Sequence, residues 1–411
     1  MKKISLKTAN KEAFQQNLIH HFKDARYLFF FNSNNENANI LAISNSEKVV
    51  ENNWKIGFIS YDYKNQIEQL SSNHTDDIGF PDEFFFSPQL LVEFSEYKIN
   101  INFDEKIYDE DVLKVLVHQL SSQEIKKSEA LSVKMLPIVS KENYLKNVVK
   151  LKNHIQLGDI YEINYCQEYV ASEVELNPID TYFKLNKKSP TPFSCFVKFN
   201  DKFLLCASPE RFISKIGYKL ISQPIKGTIK RGATLQEDEQ LKIQLLNDPK
   251  ERSENIMIVD LVRNDLSKIA KRNSVKVDEL CQIYTFPQVH QMISTISAEL
   301  KPDVDFKTIV HALFPMGSMT GAPKIRAMEL IEQYEDSKRG LYSGTVGYIK
   351  PNDDFDFNVV ICSILYNSSS KKLAYFVGGA ITSLSEPEKE YEECLLKAKA
   401  INEVLNIENY D

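Results

Sequence analysis

DPKERSENIMIVDLVRNDL, residues 248–266, carries helix-starting signals followed by an apolar stripe. Asp248 can accept from the free N–H groups of a first turn, and Pro249 has the fixed φ suited to the first helical position. Glu251 stands three residues after Asp248, the spacing of a capping box. Ile256, Val259 and Val262 then recur at helical spacing. The segment therefore predicts one long helix, with Glu251 and Glu254 together on a separate face.

Similar punctuation appears on both sides. Ser140 is placed to cap a helix carrying Tyr144, Leu145, Val148, Val149 and Ile155, stopped by Gly158. Pro323 opens a helix through Ile325, Met328 and Ile331. Ser385 and Glu388 form a second capping-box spacing ahead of Tyr391, Cys394, Leu395, Ala398, Ile401 and Leu405. Between these helices, 161–170, 203–207, 344–349, 358–366 and 373–377 read as strands. In the N-terminal third, the aromatic runs 27–31 and 84–86 alternate with polar stretches such as FNSNNENAN and SSNHTDD, a pattern of strands and surface loops. The chain is α+β, with a soft boundary near 123–129.

With 411 residues, 43% of them hydrophobic, the chain can bury one large core or two ordinary ones. That excludes a disordered chain, a collagen-like fibre and a disulfide miniprotein. The net charge is −7 and there is no long basic block, which argues against nucleic acid as a partner. The six cysteines are scattered without a C-x-x-C pair, as in reduced cytoplasmic proteins. No apolar run approaches the ~20 residues that span a bilayer, and MKKISLKTAN is not followed by the apolar stretch of an export signal.

Two helix starts each carry glutamates three apart, Glu251/Glu254 and Glu390/Glu393, and Lys397 extends the second face. Acids in a first turn offset the helix dipole. Oxygens from two helices would also suit Mg²⁺. In GSMTGAPK (317–324) a glycine-bearing loop precedes a proline-initiated helix, where free N–H groups favour a carboxylate or phosphate, although a plain helix-entry turn reads the same way. Lys226, in PIKGT, is a surface lysine unless a dry pocket or neighbouring cations deprotonate it into a nucleophile. Glu210, in SPERF, reads alone as a turn acid paired with Arg211. His290 stands near apolar Val289 and Met292, more in the manner of a core histidine than of a catalyst.

Seven ordered blocks then resemble one family, the chorismate-utilising enzymes: GDIYEIN (158–164), SPERF (208–212), PIKGTIKRG (224–232), KERSENIMIVDLVRNDL (250–266), GSMTGAPKIRAMELI (317–331), RGLYSGTVGYI (339–349) and EPEKEYEEC (386–394). The resemblance implies an anthranilate synthase component I-like fold of two large, mainly antiparallel sheets packed together with helices outside and a cleft between them. Residues 1–130 would be a variable N-terminal part integral to the fold, and 131–411 the chorismate-binding catalytic region. It further implies Glu254 and Glu393 as direct Mg²⁺ ligands, with Glu251 and Glu390 holding metal-bound waters. Gly227, Thr228, Ser318, Gly378 and Lys397 would surround the substrate carboxylates, Tyr342 the enolpyruvyl group and His290 the ring.

Within the family, Pro-Ile-Lys-Gly-Thr is similar to the aminodeoxychorismate synthases. There the lysine, here Lys226, attacks ring C2, and Glu210 is the matching acid near the C4 hydroxyl. The resemblance also implies that the position held by a general-base lysine in relatives that add water at C2, and usually by glutamine in the ammonia users, is Glu162 here. That speaks against isochorismate or salicylate synthesis but is not the usual ammonia-enzyme residue. The implied reaction converts chorismate and ammonia to 4-amino-4-deoxychorismate, a p-aminobenzoate and folate precursor. No amidotransferase pattern is recognisable, so ammonia is expected from a separate glutamine amidotransferase subunit. Two departures stand out. Ile361-Cys362-Ser363 replaces Ile-Arg-Thr and loses an arginine for the enolpyruvyl carboxylate, and Gly378-Gly379-Ala380-Ile381 replaces Gly-Ala-Gly-Ile. The alternatives are anthranilate synthase component I and a chorismate-binding protein with weakened catalysis.

Overall fold

Helix Pro249–Ile269 begins as its sequence dictates: Asp248 Oδ1 accepts from the N–H of Lys250 at 2.9 Å and of Glu251 at 3.0 Å. The reciprocal half of the capping box is missing. The Asp248 N–H donates to the Leu245 carbonyl, which leaves the Glu251 side chain free to lie beside Gly227. The buried stripe is Ile258, Val259, Val262, Leu266 and Ile269, while Ile256 is exposed. Four apolar residues in a row, 256–259, permit more than one stripe, and packing selects among them.

A computed structural model describes residues 1–7, 11–34, 39–95, 98–124 and 132–407. The boundary expected at 123–129 falls largely outside the described residues, as does part of FNSNNENAN. Helix Lys141–Leu157 is capped by Ser140, whose Oγ accepts from the Asn143 N–H, and it ends at Gly158 with φ +83°, the left-handed turn that glycine adopts without strain. Val149, expected in its apolar stripe, is exposed, and Leu151 is buried instead. Helix Pro387–Leu405 differs from expectation at its start. Its N-cap is Glu386, not Ser385, whose Oγ accepts from the Thr382 N–H and donates to the Ala380 carbonyl in the preceding turn. Leu395, expected in its stripe, is exposed.

The strands form two sheets in which every neighbouring pair runs antiparallel. Among the described residues the first has 12 strands and the second nine. The first runs in the order Lys2–Lys7, Lys98–Phe103, Leu90–Phe94, Asn39–Ser44, Tyr27–Asn32, Phe193–Phe199, Lys202–Ser208, Ser363–Asn367, Lys372–Ile381, Glu162–Ala171 and Gly321–Ala322, with Leu136–Pro137 also pairing to Glu162–Ala171. In the second, Val289–Glu299 pairs with Ile225–Lys230, Lys219–Gln223 and Lys276–Thr285, and the sheet continues through Arg211–Ile216, Phe355–Asn358, Thr345–Ile349, Lys55–Ile59 and Glu83–Phe86.

One core, with Phe29, Val197, Leu204 and Phe376 from the first sheet and Phe58, Phe212, Ile296 and Phe357 from the second, joins the sheets and takes in helix Pro249–Ile269. Another packs helices Lys141–Leu157, Pro178–Lys188, Lys324–Tyr334 and Pro387–Leu405 against the first sheet. Each fully buried side chain of this kind contributes roughly 1.5–3 kcal/mol relative to exposure.

Two of the places where the chain passes between the sheets lie side by side. Residues 358–366, expected as one strand, are two: Phe355–Asn358 in the second sheet and Ser363–Asn367 in the first, joined through Cys362 at φ +51°. Glu210 lies at the other crossing, between Lys202–Ser208 and Arg211–Ile216. The crossings are tied by backbone bonds, Val359 N–H to the Glu210 carbonyl at 3.0 Å and Ala207 N–H to the Cys362 carbonyl at 3.1 Å.

Candidate active site

Lys226 sits in an edge strand of the second sheet where the register with Val289–Glu299 shifts between Ile225 and Thr228. Such an irregularity re-aims side chains, and here it includes Gly227 at φ +93°. The buried Lys226 ammonium reaches across to the first sheet, where it lies 2.7 Å from Glu162 Oε1. Glu162 begins the strand Glu162–Ala171, held in place by the glycine loop: Tyr161 N–H donates to the Ala322 carbonyl at 2.7 Å and Asn164 N–H to the Thr320 carbonyl at 2.8 Å.

Charge, not desolvation, decides the state of Lys226. Burial alone would lower its proton affinity, but the carboxylates of Glu162 and Glu254 outweigh that and hold it above the usual lysine range. The pocket expected to deprotonate this lysine therefore keeps it an ammonium in the free protein.

Glu210 is also buried and accepts the Ser318 hydroxyl at 2.6 Å. Burial pushes its carboxyl up to about 7, against the opposing pull of the Ser318 hydrogen bond and the Lys226 charge. Arg211 is not its partner; that guanidinium binds Asp356 through Nε and Nη2, each at 2.9 Å. Ser318 belongs to a short 3₁₀ turn, Gly317–Met319. The loop's N–H groups at Met319 and Thr320 are taken by Met316 and Gly317 carbonyls, so they are not open to an anion as the sequence suggested. Lys324, after the loop, instead pairs with Asp265 and ties the next helix to Pro249–Ile269.

The two glutamate pairs meet through a residue that sequence reasoning passed over. Lys250 Nζ lies 2.8 Å from Glu390 Oε1 and 3.7 Å from Glu254 Oε1. Its spacing of four before Glu254 was the available signal. Glu393 pairs with Lys397 at 2.7 Å, and Lys397 Nζ donates to the Gly378 carbonyl at 2.9 Å. Burial pushes the Glu254 carboxyl up to about 8 despite Lys226 and Lys250, whereas Lys397 holds Glu393 below the usual range. Among the described residues no three His, Cys, Asp or Glu side chains are gathered closely enough to hold a metal ion unaided. Buried Glu254 Oε1 and Glu390 Oε2 nevertheless lack hydrogen-bond partners among the described residues.

The strand Lys372–Ile381 separates its two glycines by face. A Cβ on Gly378 would meet Cys166 Sγ and the Tyr165 carbonyl, each at 2.5 Å, so this glycine permits close strand pairing. A Cβ on Gly379 would point among Glu390 Oε2, Glu393 Oε1 and Lys397 Nζ at 3.5 to 3.8 Å. The glycine whose bare face borders the charged cluster is thus Gly379, and Gly378 contributes its carbonyl.

Three further expected residues have different settings. Thr228 is exposed. Tyr342 is buried, stacks on Phe376 with ring centres 4.9 Å apart, and places its hydroxyl 3.8 Å from Cys166 Sγ. His290 is fully buried, with Nε2 2.9 Å from Asp238 and Nδ1 3.0 Å from Thr285, so both ring nitrogens are engaged in a cluster that also contains Arg231. Cys362 does border the site: burial pushes its thiol up to about 12, and both Lys397 and Glu210 act on it electrostatically.

The arrangement offers an amine held by one carboxylate, a second carboxyl that is half neutral near pH 7, and an acidic patch from two helices. Over residues 4–403 the sequence matches the family described as chorismate binding enzyme. The chain belongs to the chorismate binding enzyme family. It is 33% identical over 363 residues to aminodeoxychorismate synthase component 1 of Bacillus subtilis (strain 168), covering 86% of this chain and 77% of that protein. It is 40% identical over 269 residues to the probable chloroplastic aminodeoxychorismate synthase of Oryza sativa subsp. japonica, covering 65% of this chain but only 30% of that longer protein. Among solved structures, anthranilate synthase component I from Streptococcus pneumoniae TIGR4 superposes with a TM-score of 0.74 at 25% identity, over 97% of this chain and 92% of that one. Family membership and the two-sheet α+β fold agree with the sequence expectation, and no helix among the described residues is long and apolar enough to cross a membrane.

Proposed function

We propose that this chain is a component I of aminodeoxychorismate synthase, converting chorismate and ammonia to 4-amino-4-deoxychorismate. The observation that carries the reading is Lys226, a buried ammonium projected from the second sheet to Glu162 of the first, in a chain whose relatives include aminodeoxychorismate synthases. In this reading the neutral Lys226 amine forms a bond to ring C2, both ring double bonds shift by one position, and the C4–O bond breaks as Glu210 delivers its proton to the departing hydroxyl. A hydroxyl leaves poorly unless protonated, and a carboxyl with a pKa of about 7 is suited to that transfer. Ammonia then bonds to C4, the C2–N bond breaks, and Glu210 recovers a proton from the new ammonium.

Glu254, Glu390, Glu251 and Glu393 would hold Mg²⁺. The unpartnered Glu254 Oε1 and Glu390 Oε2 would supply hard carboxylate oxygens of the kind it takes, Glu254 giving up its proton to the cation, and Lys250 would have to give way. A bound Mg²⁺ supplies positive charge for the ring carboxylate. Lys397 adds a second positive charge at the same rim, and Ser318 orients Glu210. We place Tyr342, Thr228 and His290 in supporting positions around the substrate. We read residues 1–130 as integral to the fold, the compartment as cytoplasmic, and the ammonia source as a separate glutamine amidotransferase subunit.

Incubating the full chain with chorismate, MgCl₂ and ammonium chloride, then adding an aminodeoxychorismate lyase, tests the reading. p-Aminobenzoate formed only after the lyase supports it. Fluorescent anthranilate before the lyase assigns the chain to anthranilate synthesis instead. Tight chorismate binding without turnover makes it a binding protein, the outcome to which the missing arginine at Cys362 points.

A further inference from the structure

The Lys226–Glu162 pair poses a chemical problem that the proposed function leaves open. An ammonium has no lone pair, and the surroundings of Lys226 favour the ammonium. The groups acting on it are Glu162 from the strand Glu162–Ala171, Glu254 from helix Pro249–Ile269, Glu393 and Lys397 from helix Pro387–Leu405, and Glu210 at the sheet crossing. Of the four carboxylates only Glu162 lies within hydrogen-bonding distance, at 2.7 Å, and its side chain is 1% exposed. The contact is a close ion pair, and neither Glu162 oxygen has a hydrogen-bond partner of good geometry among the described residues, so both are open to a proton. Glu210 is directed to Ser318, Glu254 and Glu393 to lysines of the helices.

We infer that Glu162 is the catalytic base that removes the proton from Lys226 before attack on the substrate and returns it when the lysine leaves. This rests on the reading of Lys226 as the nucleophile. In the first step the N–H bond of the ammonium breaks and its proton moves to Glu162, giving a neutral amine and a neutral carboxyl. The freed lone pair forms the N–C2 bond while Glu210 protonates the leaving hydroxyl. When ammonia has displaced the lysine, Glu162 gives the proton back. The two carboxyls therefore run separate proton cycles, Glu210 with the substrate's C4 substituents and Glu162 with the enzyme's own amine. Because the transfer is internal to the pair, attack by Lys226 does not wait for hydroxide in solution, even though the site favours the ammonium.

The test compares wild type with Glu162→Gln, which keeps the shape and removes the base. Two rates are read on the full chain. One is formation of the covalent chorismate–Lys226 adduct with MgCl₂ and no ammonium, followed by mass spectrometry. The other is trace acetylation of Lys226 by acetic anhydride, which reports how readily the amine is freed without chorismate. Removing the anionic partner should raise Lys226 acetylation at pH 8 by about fivefold or more, while adduct formation at pH 7 falls at least about tenfold. The ratio of variant to wild-type adduct rates should climb about tenfold per pH unit from 7 to 9, as solvent takes over deprotonation.

Acetylation and adduct formation falling together would mark a displaced lysine and overturn the inference, as would adduct rates within about twofold of wild type across that range. If thermal melting shows Glu162→Gln unfolded, Glu162→Asp is read the same way. Aspartate keeps a base at longer reach, so its adduct rate should stay parallel to wild type with pH, and a tenfold-per-unit climb in its ratio would refute the idea. A wild-type chain that forms no adduct defeats the functional reading itself, whereas a wild-type adduct with an unchanged variant profile defeats only the role of Glu162.

Discussion

The Ser318 hydroxyl donates to Glu210 Oε1 across 2.6 Å, between the 3₁₀ turn Gly317–Met319 and the crossing of the two sheets. The bond stabilises the carboxylate, and burial works against it, leaving the group balanced at about 7. The form that donates a proton is the neutral one, present below pH 7 and lost as pH rises through that value. kcat/KM for chorismate is therefore expected to decline above about pH 7. Ser318→Ala removes a stabiliser of the charged form, so the alkaline limb should move upward by roughly half to one pH unit. A limb that stays in place or moves down would contradict the role given to Ser318.

The two glycines of the 372–381 strand should respond differently to one added methyl. Gly378→Ala drives a Cβ to 2.5 Å from Cys166 Sγ and the Tyr165 carbonyl, and should cost about 1–3 kcal/mol in urea unfolding. Gly379→Ala meets nothing closer than 3.5 Å, so stability should hold within about 0.5 kcal/mol while the apparent Mg²⁺ affinity weakens several-fold. Equal stability losses for both variants would refute this assignment of faces.

Cys362 stands at the sheet crossing with Lys397 and Glu210 acting on it. Cys362→Arg introduces a guanidinium where the family resemblance implies one, and a charge-assisted hydrogen bond to a substrate carboxylate contributes about 1.5–3 kcal/mol. KM for chorismate should fall about tenfold, with kcat within about threefold. Since φ at this position is already +51°, the exchange of one non-glycine residue for another adds no new backbone strain. Steady-state kinetics showing an unchanged KM would remove the argument for a weakened carboxylate clamp.

Arg339 is buried and gives Nε and Nη2 to Glu335, Nη1 to the Met319 carbonyl and Nη2 also to the Asn164 carbonyl. It thereby fixes the Ser318 turn against the strand of Glu162. Arg339→Met leaves Glu335 buried without its partner and should destabilise the fold by about 3–5 kcal/mol. A loss below about 1 kcal/mol in denaturant unfolding would show that the pair contributes little.

What the sequence determined by itself were the local features. Asp248 and Ser140 start helices because their side chains accept from free N–H groups, and Gly158 ends one because it takes a left-handed turn without strain. The ordered blocks also carried the family, because each keeps its residue types in sequence. Where two local solutions were equally good, the tertiary structure chose: Ser385 bonds in the preceding turn rather than capping, and 358–366 splits between two sheets.

Only the tertiary structure could bring Lys250 to Glu390, 140 residues away, or set Lys226 of one sheet against Glu162 of the other. Those contacts fix which carboxyl is neutral and which amine is charged. Electrostatic energy depends on distance and burial, and neither is encoded in spacing along the chain.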